Sequence, residues 1–185
     1  MKRVLIACEF SGIVREAFRE LGHEAFSCDL LPAEDNSPHH FQCDVLTLPR
    51  ARWDLVIAFP PCTDLASSGA RWFKEKRTEQ RAAIRFVRRL LGWPCPQVAI
   101  ENPIGVISSK IRKPDQIIQP WQFGHGETKA TCLWLRRLPL LQPTEIVSGR
   151  IPRVWREPPS PDRWKNRSRT YEGIARAMAL QWGGR

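Results

Sequence analysis

The sequence lacks long apolar runs and clustered cysteine pairs. No segment approaches the roughly 18 to 20 consecutive apolar residues that a membrane span needs, so we expect no membrane association. The six cysteines form no CxxC pair, and we therefore expect no metal site. A short apolar run follows the basic start, but Glu9 interrupts it and no small-residue cleavage site follows. We interpret this run as a first strand, not a signal peptide, and expect a cytoplasmic protein.

Acidic residues are also scarce relative to basic ones. The chain has 29 Lys and Arg against 19 Asp and Glu, a net charge of +10, which suggests a polyanionic partner such as nucleic acid. Nine of the basic residues lie in 136–170, together with only three acidic residues. Trp155 and Trp164 alternate with these cations, and bases stack on aromatic faces. A solvated basic surface is the alternative, but the interleaved tryptophans favour a nucleic-acid interface.

Apolar strand patterns alternate with amphipathic helix patterns along the chain. We predict strands at 3–8, 24–29, 41–44, 53–59 and 96–101, followed by a strand pair at 116–124 and 129–135. We predict helices that start after Ser11 as N-cap, at 72–92 and at 171–184. This alternation predicts an α/β fold with a mostly parallel sheet and helices on both faces. We expect a single domain over 1–185, in which 136–170 forms an ordered but irregular arm that is basic and rich in proline.

A cysteine directly follows two prolines at the end of the apolar segment LVIAF. Ligands of parallel sheets bind beyond the carboxyl ends of the strands, where we expect to find Cys62, Glu101, Asp29 and Asp44. A cysteine alone is more often structural, but a carboxyl group at the end of the next core strand favours a functional pair. The thiolate of Cys62 could add to C6 of a pyrimidine while Glu101 donates a proton at N3. Carbon 5 would then be nucleophilic enough to attack a methyl donor.

The order of short motifs along most of the chain resembles that of the cytosine C5 DNA methyltransferases, in the short form found in many bacteriophage genomes. FSGIV at 10–14 resembles the glycine loop that holds the methyl donor, and PC at 61–62 resembles the catalytic Pro-Cys motif. ENP at 101–103 resembles Glu-Asn-Val, and YEGIARAMA at 171–179 resembles the final helix of the donor pocket. The resemblance implies a Rossmann-like S-adenosylmethionine-dependent methyltransferase fold, S-adenosylmethionine as cofactor and double- or single-stranded DNA as partner. It also implies a location in the cytoplasm of a bacterial or phage-infected cell.

The resemblance implies roles for individual residues. Cys62 would be the nucleophile, Glu101 the proton donor at N3, and Lys129 a substrate anchor in place of an arginine. The implied donor-binding residues are Phe10, Ser11, Gly12, Asp29, Asp44, Val45, Pro60 and Glu172. The candidate substrate-binding residues are Pro61, Thr63 and Asn102 from the motifs, His125 beside a glycine turn, and Arg153 and Arg167 from the arm.

The sequence departs from this family at several positions. Val14 replaces the second glycine of the donor loop, Thr63 replaces a glutamine, and ETKAT at 127–131 replaces Gln-x-Arg-x-Arg. Only about 37 residues separate Thr131 from Ser168, which is too short for a large target-recognition domain. The enzyme would then read a very short site through the arm, or act on single-stranded DNA, in which base flipping costs less.

Three other functions stay open at this point. The same chemistry on a free cytosine nucleotide such as dCMP fits the missing recognition domain, although not the basic arm. A non-catalytic DNA-binding protein that retains the fold fits the altered positions Val14 and Thr63, although it would not need the thiol and carboxyl pair. FPPC at 59–62 is also a variant of the Asn/Asp-Pro-Pro-aromatic motif of amino-methyltransferases, but Phe59 cannot accept a hydrogen bond from an amine.

Overall fold

Seven strands form one sheet in the computed structural model, which describes residues 1–50 and 52–184. The strands are β1 (Arg3–Ala7), β2 (Glu24–Asp29), β3 (His40–Gln42), β4 (Leu55–Ala58), β5 (Gln97–Pro103), β6 (Gln116–Ile118) and β7 (Thr131–Arg136). The helices are α1 (Ile13–Glu20), α2 (Arg77–Leu91), α3 (Ile107–Lys110), α4 (Arg153–Arg156), α5 (Arg163–Ser168) and α6 (Glu172–Gly183). Ala51 and Arg185, which the predicted domain over 1–185 includes, lie outside the described residues.

The strands follow the order β3-β2-β1-β4-β5-β7-β6 across the sheet. Strands β1 to β5 pair in parallel, and β7 runs antiparallel to both β5 and β6. The predicted α/β fold is therefore confirmed, and the predicted strand pair forms one edge of the sheet. The strand order reverses between β1 and β4, with β2 and β3 on one side and β5 on the other. Sheets of this kind bind ligands in the crevice outside the carboxyl ends of the strands at that point.

Alternate residues of the central strands face two separate core layers. On β1, Val4 and Ile6 pack in the layer that contains α1 and α6, whereas Leu5 and Ala7 pack in the layer that contains α2. Val4, Leu5 and Ile6 have no exposed surface, and full burial of such a side chain contributes about 1.5–3 kcal/mol. The strand is therefore apolar on both faces because helices cover both faces of the sheet.

The helix predicted at 72–92 starts later than its pattern suggests. α2 begins at Arg77, and Ser67–Trp72 forms a separate 3₁₀ helix. The amide and the hydroxyl of Ser67 both donate to the carbonyl oxygen of Ile104, at 2.9 and 3.0 Å. These hydrogen bonds hold the segment after Cys62 against the chain that follows β5.

The arm contains two short helices, α4 and α5, joined by irregular backbone. Its first residue, Arg136, belongs to β7 instead and does not contribute to a nucleic-acid surface. The guanidinium of Arg136 donates to the backbone carbonyls of Leu91, Trp93 and Cys95. This side chain therefore fastens the sheet to the turn after α2, a structural task that composition alone does not indicate.

Candidate active site

The three predicted catalytic residues lie at the end of the sheet where the parallel strands β4 and β5 terminate. Cys62 lies in the turn after β4, and β4 pairs in parallel with β5 so that Ala58 is opposite Ile100. Glu101 is the next residue of β5. Because β7 runs antiparallel to β5, it starts at the end of the sheet where β5 terminates, and Lys129 lies two residues before that start. The register of three strands thus brings together residues that are far apart in the sequence.

Two contacts hold the turn that carries Cys62. Asn102, on β5, donates a 2.7 Å hydrogen bond from Nδ2 to the carbonyl oxygen of Pro60. Asn102 is 1% exposed, and its amide nitrogen supports the turn from inside the protein. Gly105 packs against the same turn, and a Cβ there would lie 2.0 Å from the carbonyl oxygen of Leu65. Only glycine fits this approach, so any side chain would displace the turn.

Cys62 is the one exposed cysteine of the six, all of which the structure describes. Neighbouring protein still removes water from its thiol and raises the pKa, and the carboxylate of Glu101 raises it further. Lys129 and Arg167 act in the opposite direction and lower the pKa of the thiol. The protonation state of an accessible thiol therefore depends on three ionisable neighbours, two of which are predicted catalytic partners.

Glu101 and Lys129 also act on each other. Burial raises the pKa of Glu101, whereas Lys129 and a hydrogen bond from Thr131 oppose this shift. Burial lowers the pKa of Lys129, whereas Glu101 and Cys62 oppose that shift. A carboxyl group with a raised pKa is suited to donate a proton near neutral pH. We call Cys62, Glu101 and Lys129 the cysteine set, because each affects the charge of the others.

The arm lies across the cysteine set. Lys129 Nζ donates to the backbone carbonyl of Arg169 at 3.1 Å, and the guanidinium of Arg169 pairs with Glu34 at 2.6 Å. The ring of Trp164 contacts the ring of Phe10, with 5.9 Å between centroids. The arm therefore connects the cysteine set to the loop between β1 and α1, where the methyl donor was predicted to bind.

Two predicted substrate-binding residues are engaged in structural contacts. His125 caps α6: its Nε2 accepts a 3.0 Å hydrogen bond from the amide of Gly173. Arg153 donates from Nε to the carboxylate of Glu127 at 2.8 Å, and the hydroxyl of Tyr171 donates to the same carboxylate. Arg153 therefore braces the arm against the body of the protein.

Gly12 makes the turn from β1 into α1. Its φ of 75° lies in the left-handed region, and a Cβ there would lie 2.3 Å from the guanidinium of Arg15. Val14, which stands at the position of the second glycine, is fully buried in the same core layer as Phe18. The valine is accommodated because its side chain lies in the core and leaves the loop backbone free.

Glu9, and not Ser11, caps α1. The carboxylate of Glu9 accepts from the amides of Val14 and Arg15 at 2.7 and 3.3 Å. The hydroxyl of Ser11 reaches only the amide of Ile13, at 3.5 Å, so the predicted N-cap is wrong. Burial raises the pKa of Glu9 to about 7, although the two amides and Arg15 oppose this shift.

The predicted donor-binding carboxylates lie near the ends of β2 and β3. Burial raises the pKa of the Cys8 thiol most strongly, and Asp29 and Asp44 both raise it further, so both lie near the turn after β1. Asp44 caps a 3₁₀ turn that starts at Val45, which explains why the strand predicted at 41–44 already ends at Gln42. Val45 is 4% exposed and packs in the core layer that contains α2.

The remaining predicted residues differ in their exposure to solvent. Pro61 and Thr63 are exposed on either side of Cys62, whereas Pro60 is buried beneath the turn. Glu172 is exposed in the first turn of α6, which packs against α1.

Sequence analysis missed a buried arginine at the start of α1. Arg15 has no exposed surface; it donates to the hydroxyl of Ser27 at 2.7 Å and pairs with Asp35 and Glu16. Nothing in the sequence separates it from the exposed arginines. Glu9 had a usable signal, since a carboxylate just before an amphipathic helix is a common way to satisfy its first amides.

Comparison with known proteins supports the fold. No family model matches the sequence, and no curated protein matches it. Solved structures do match, among them an E. coli prophage-encoded protein provisionally named as a DNA modification methyltransferase. The two share 15% sequence identity at a TM-score of 0.55, and the match covers 86% of this chain and 56% of that chain.

The chain shares with that protein an α/β fold, built here on a seven-stranded sheet. Because it spans little more than half of the prophage protein, and because the identity is low, the likeness extends to the fold alone. Within residues 1–50 and 52–184, no helix combines the length and hydrophobicity that a membrane span requires. The same residues contain no group of three or more His, Cys, Asp or Glu placed to hold a metal ion.

Proposed function

We propose that this protein is an S-adenosylmethionine-dependent methyltransferase that modifies C5 of cytosine in DNA through a covalent bond from Cys62 to C6. The observation that carries the proposal is the cysteine set, in which the thiol, the carboxyl group and the ammonium group shift one another's pKa at the carboxyl end of the parallel strands. Addition to a pyrimidine needs a nucleophile, an acid and an anchor for the ring or its phosphate. Cys62, Glu101 and Lys129 supply these three groups.

The cysteine set holds the proton that the addition requires. With Cys62 protonated and Glu101 ionised, transfer of one proton from sulfur to the carboxylate produces the nucleophile and the acid together. The sulfur then bonds to C6, and N3 takes the proton from Glu101 as the ring electrons shift. S-adenosylmethionine, when bound, supplies the methyl group that C5 attacks. N3 then returns its proton to Glu101, the proton on C5 passes to water, and departure of the thiolate restores the aromatic ring and frees Cys62.

The residues at the crevice beside β1 suit a donor that carries a ribose and an adenine. The carboxylates of Asp29 and Asp44 would accept from the ribose hydroxyls and the amino group, and Gly12 allows close approach of the backbone. Glu9 already occupies the amides of Val14 and Arg15. An anionic group of the donor would therefore be held away from the start of α1, unlike the usual anion site at a helix N-terminus.

Charge supports DNA as the substrate. The net charge of +10 favours a polyanion, and Arg167 of the arm is close enough to affect the pKa of Cys62. The prophage protein with the similar fold is itself named for DNA modification. These observations favour DNA over a free nucleotide, which would not need a basic arm.

A covalent trap tests the proposal. The protein is incubated with S-adenosylmethionine and DNA that contains 5-fluorocytosine, and the intact mass is measured. Fluorine cannot leave C5 as a proton does, so a stable adduct should form in the wild type and be absent in Cys62→Ala. Cys95→Ala, which removes a buried thiol outside the cleft, should still form the adduct. Adduct formation that survives Cys62→Ala, or that never occurs while DNA and donor both bind, would contradict the proposed chemistry.

A further inference from the structure

Three of the eight tryptophans are exposed. Trp72, Trp155 and Trp164 are 48%, 76% and 52% exposed. Four others are 7% exposed or less and form part of the core: Trp53, Trp93, Trp134 and Trp182. Large aromatic rings left in water are typical of surfaces that meet a partner. We call Trp72, Trp155 and Trp164 the tryptophan surface.

All three rings lie on segments that border the cysteine set. Trp72 ends the 3₁₀ helix in the segment after Cys62. Trp155 lies on α4, whose first residue, Arg153, is braced against the body by Glu127. Trp164 lies on α5 and contacts Phe10. The rings therefore lie on the segment that follows Cys62 and on the arm that contacts Lys129.

Cations lie over two of the three rings. Arg71 lies over Trp72 at 5.1 Å, and Lys165 lies over Trp164 at 5.7 Å. Among the described residues, four cations of these segments have no acidic partner within salt-bridge distance: Arg71, Arg156, Arg163 and Arg167. Aromatic faces beside unpaired cations form the usual surface for single-stranded nucleic acid, in which bases stack and phosphates are neutralised.

We propose that the tryptophan surface stacks on unpaired bases and that the DNA substrate is single-stranded. This inference rests on the proposed function and specifies its substrate class. In a single strand, the faces of neighbouring bases are accessible to rings at the edge of the cleft, and the target cytosine enters without separation from a partner base. In a duplex those faces are covered, and extrusion of the base requires unpairing and unstacking.

The arm is poorly shaped for reading a duplex. A recognition helix fills the major groove, but α4 spans only four residues and α5 only six. At 1.5 Å per residue these helices are about 6 and 9 Å long, shorter than the groove is wide. The tryptophans, in contrast, need no groove, because stacking is tolerant of sequence.

Binding to matched oligonucleotides tests this inference. Fluorescence anisotropy compares a labelled 15-nucleotide DNA strand, its duplex and the RNA strand of the same sequence, at several salt concentrations. The single DNA strand should bind at least tenfold more tightly than the duplex. Because Arg71, Arg156, Arg163 and Arg167 are free to contact phosphates, the slope of log K against log salt should be about −3.

Variants show whether stacking is responsible. Trp155→Ala and Trp164→Ala should each weaken single-strand binding by about tenfold or more and leave duplex binding unchanged. Trp155→Phe keeps an aromatic face and should retain most of the affinity. Leu180→Ala, which removes an exposed apolar side chain on α6, should bind as the wild type does.

Each outcome separates the inference from the proposed function. Equal or tighter binding to duplex, tighter binding to RNA, or equal losses on both DNA forms in the tryptophan variants would overturn the single-strand inference. The same oligonucleotides with 5-fluorocytosine test the chemistry by mass. A preference for the single DNA strand without any adduct would support the inference and contradict the covalent mechanism.

Discussion

Asn102 donates from Nδ2 to the carbonyl oxygen of Pro60, so the strand that carries Glu101 also supports the turn that carries Cys62. The segments that carry the thiol and the carboxyl group are therefore joined by a buried hydrogen bond. A displacement of either segment changes the distance between thiol and carboxyl group.

Replacement of Asn102 by alanine should reduce both stability and activity. The buried carbonyl of Pro60 loses its donor, which destabilises the fold by about 1–3 kcal/mol. A misplaced nucleophile should slow adduct formation by about 100-fold. Urea denaturation and the rate of 5-fluorocytosine trapping measure the two effects. Asn166→Ala, which removes an exposed side chain bonded to Glu157, should change stability by only about 0.5 kcal/mol; an equal loss in both variants would contradict the assigned role of Asn102.

Removal of the charge of Lys129 should move the pH dependence of the reaction. Lys129 lowers the pKa of both Cys62 and Glu101, so Lys129→Met raises both values. The pair needs one proton in total to react, and the bell-shaped profile of trapping rate should therefore shift to higher pH. Lys129→Arg retains the charge and serves as the control. A profile that stays in place in Lys129→Met would show that the ammonium group does not act on the pair.

The stability of the protein should depend on pH through Glu9. The pKa of this carboxyl group is about 7 in the folded protein, above its ordinary value of 4.5. The folded state thus holds the proton more tightly, and this contribution is fully present below pH 4.5 and is lost as the pH rises through about 7. Between pH 4.5 and 8, the unfolding free energy of the wild type should fall by about 3 kcal/mol more than that of Glu9→Gln.

Urea denaturation at a series of pH values measures this difference. Glu20→Gln, an exposed change at the other end of α1, should follow the wild type. Parallel curves for the wild type and Glu9→Gln would mean that Glu9 does not change its protonation in this range.

Loss of Glu127 should release the arm. Its carboxylate accepts from Arg153 and Tyr171, so Glu127→Ala removes both attachments together. Trypsin should then cut the arm several times faster, because α4 and α5 carry several basic residues. Glu34→Ala breaks only an exposed ion pair with Arg169, worth less than about 1 kcal/mol, and should accelerate cleavage less. Equal cleavage rates in Glu127→Ala and the wild type would show that the arm is held by other contacts.

The meeting of Cys62 and Glu101 could be predicted because it depends only on strand order and direction. LVIAF and the strand that leads to Glu101 are apolar on both faces, which is typical of central parallel strands. The carboxyl ends of the two strands must then lie at the same end of the sheet. Asp29 and Asp44 follow from the same argument, since β2 and β3 run in the same direction as β1.

Contacts between side chains and distant backbone could not be predicted in the same way. Glu9 caps α1 because its longer side chain brings a carboxylate to the first amides of the helix. The hydroxyl of Ser11 stays 3.5 Å from the nearest amide. His125 had no local signal, because its partner is 48 residues away on α6. Arg136 looked like one more surface cation, and only the fold reveals the carbonyls that surround it.

The position of Arg169 makes the two halves of the cleft thermodynamically interdependent. Its carbonyl holds Lys129 of the cysteine set, and its guanidinium holds Glu34 near the donor loop. A molecule that alters one of these contacts changes the free energy of the other, and the effect is the same in either direction. If DNA and the methyl donor bind as proposed, each should change the affinity for the other by the same factor, and Arg169→Ala should reduce that factor.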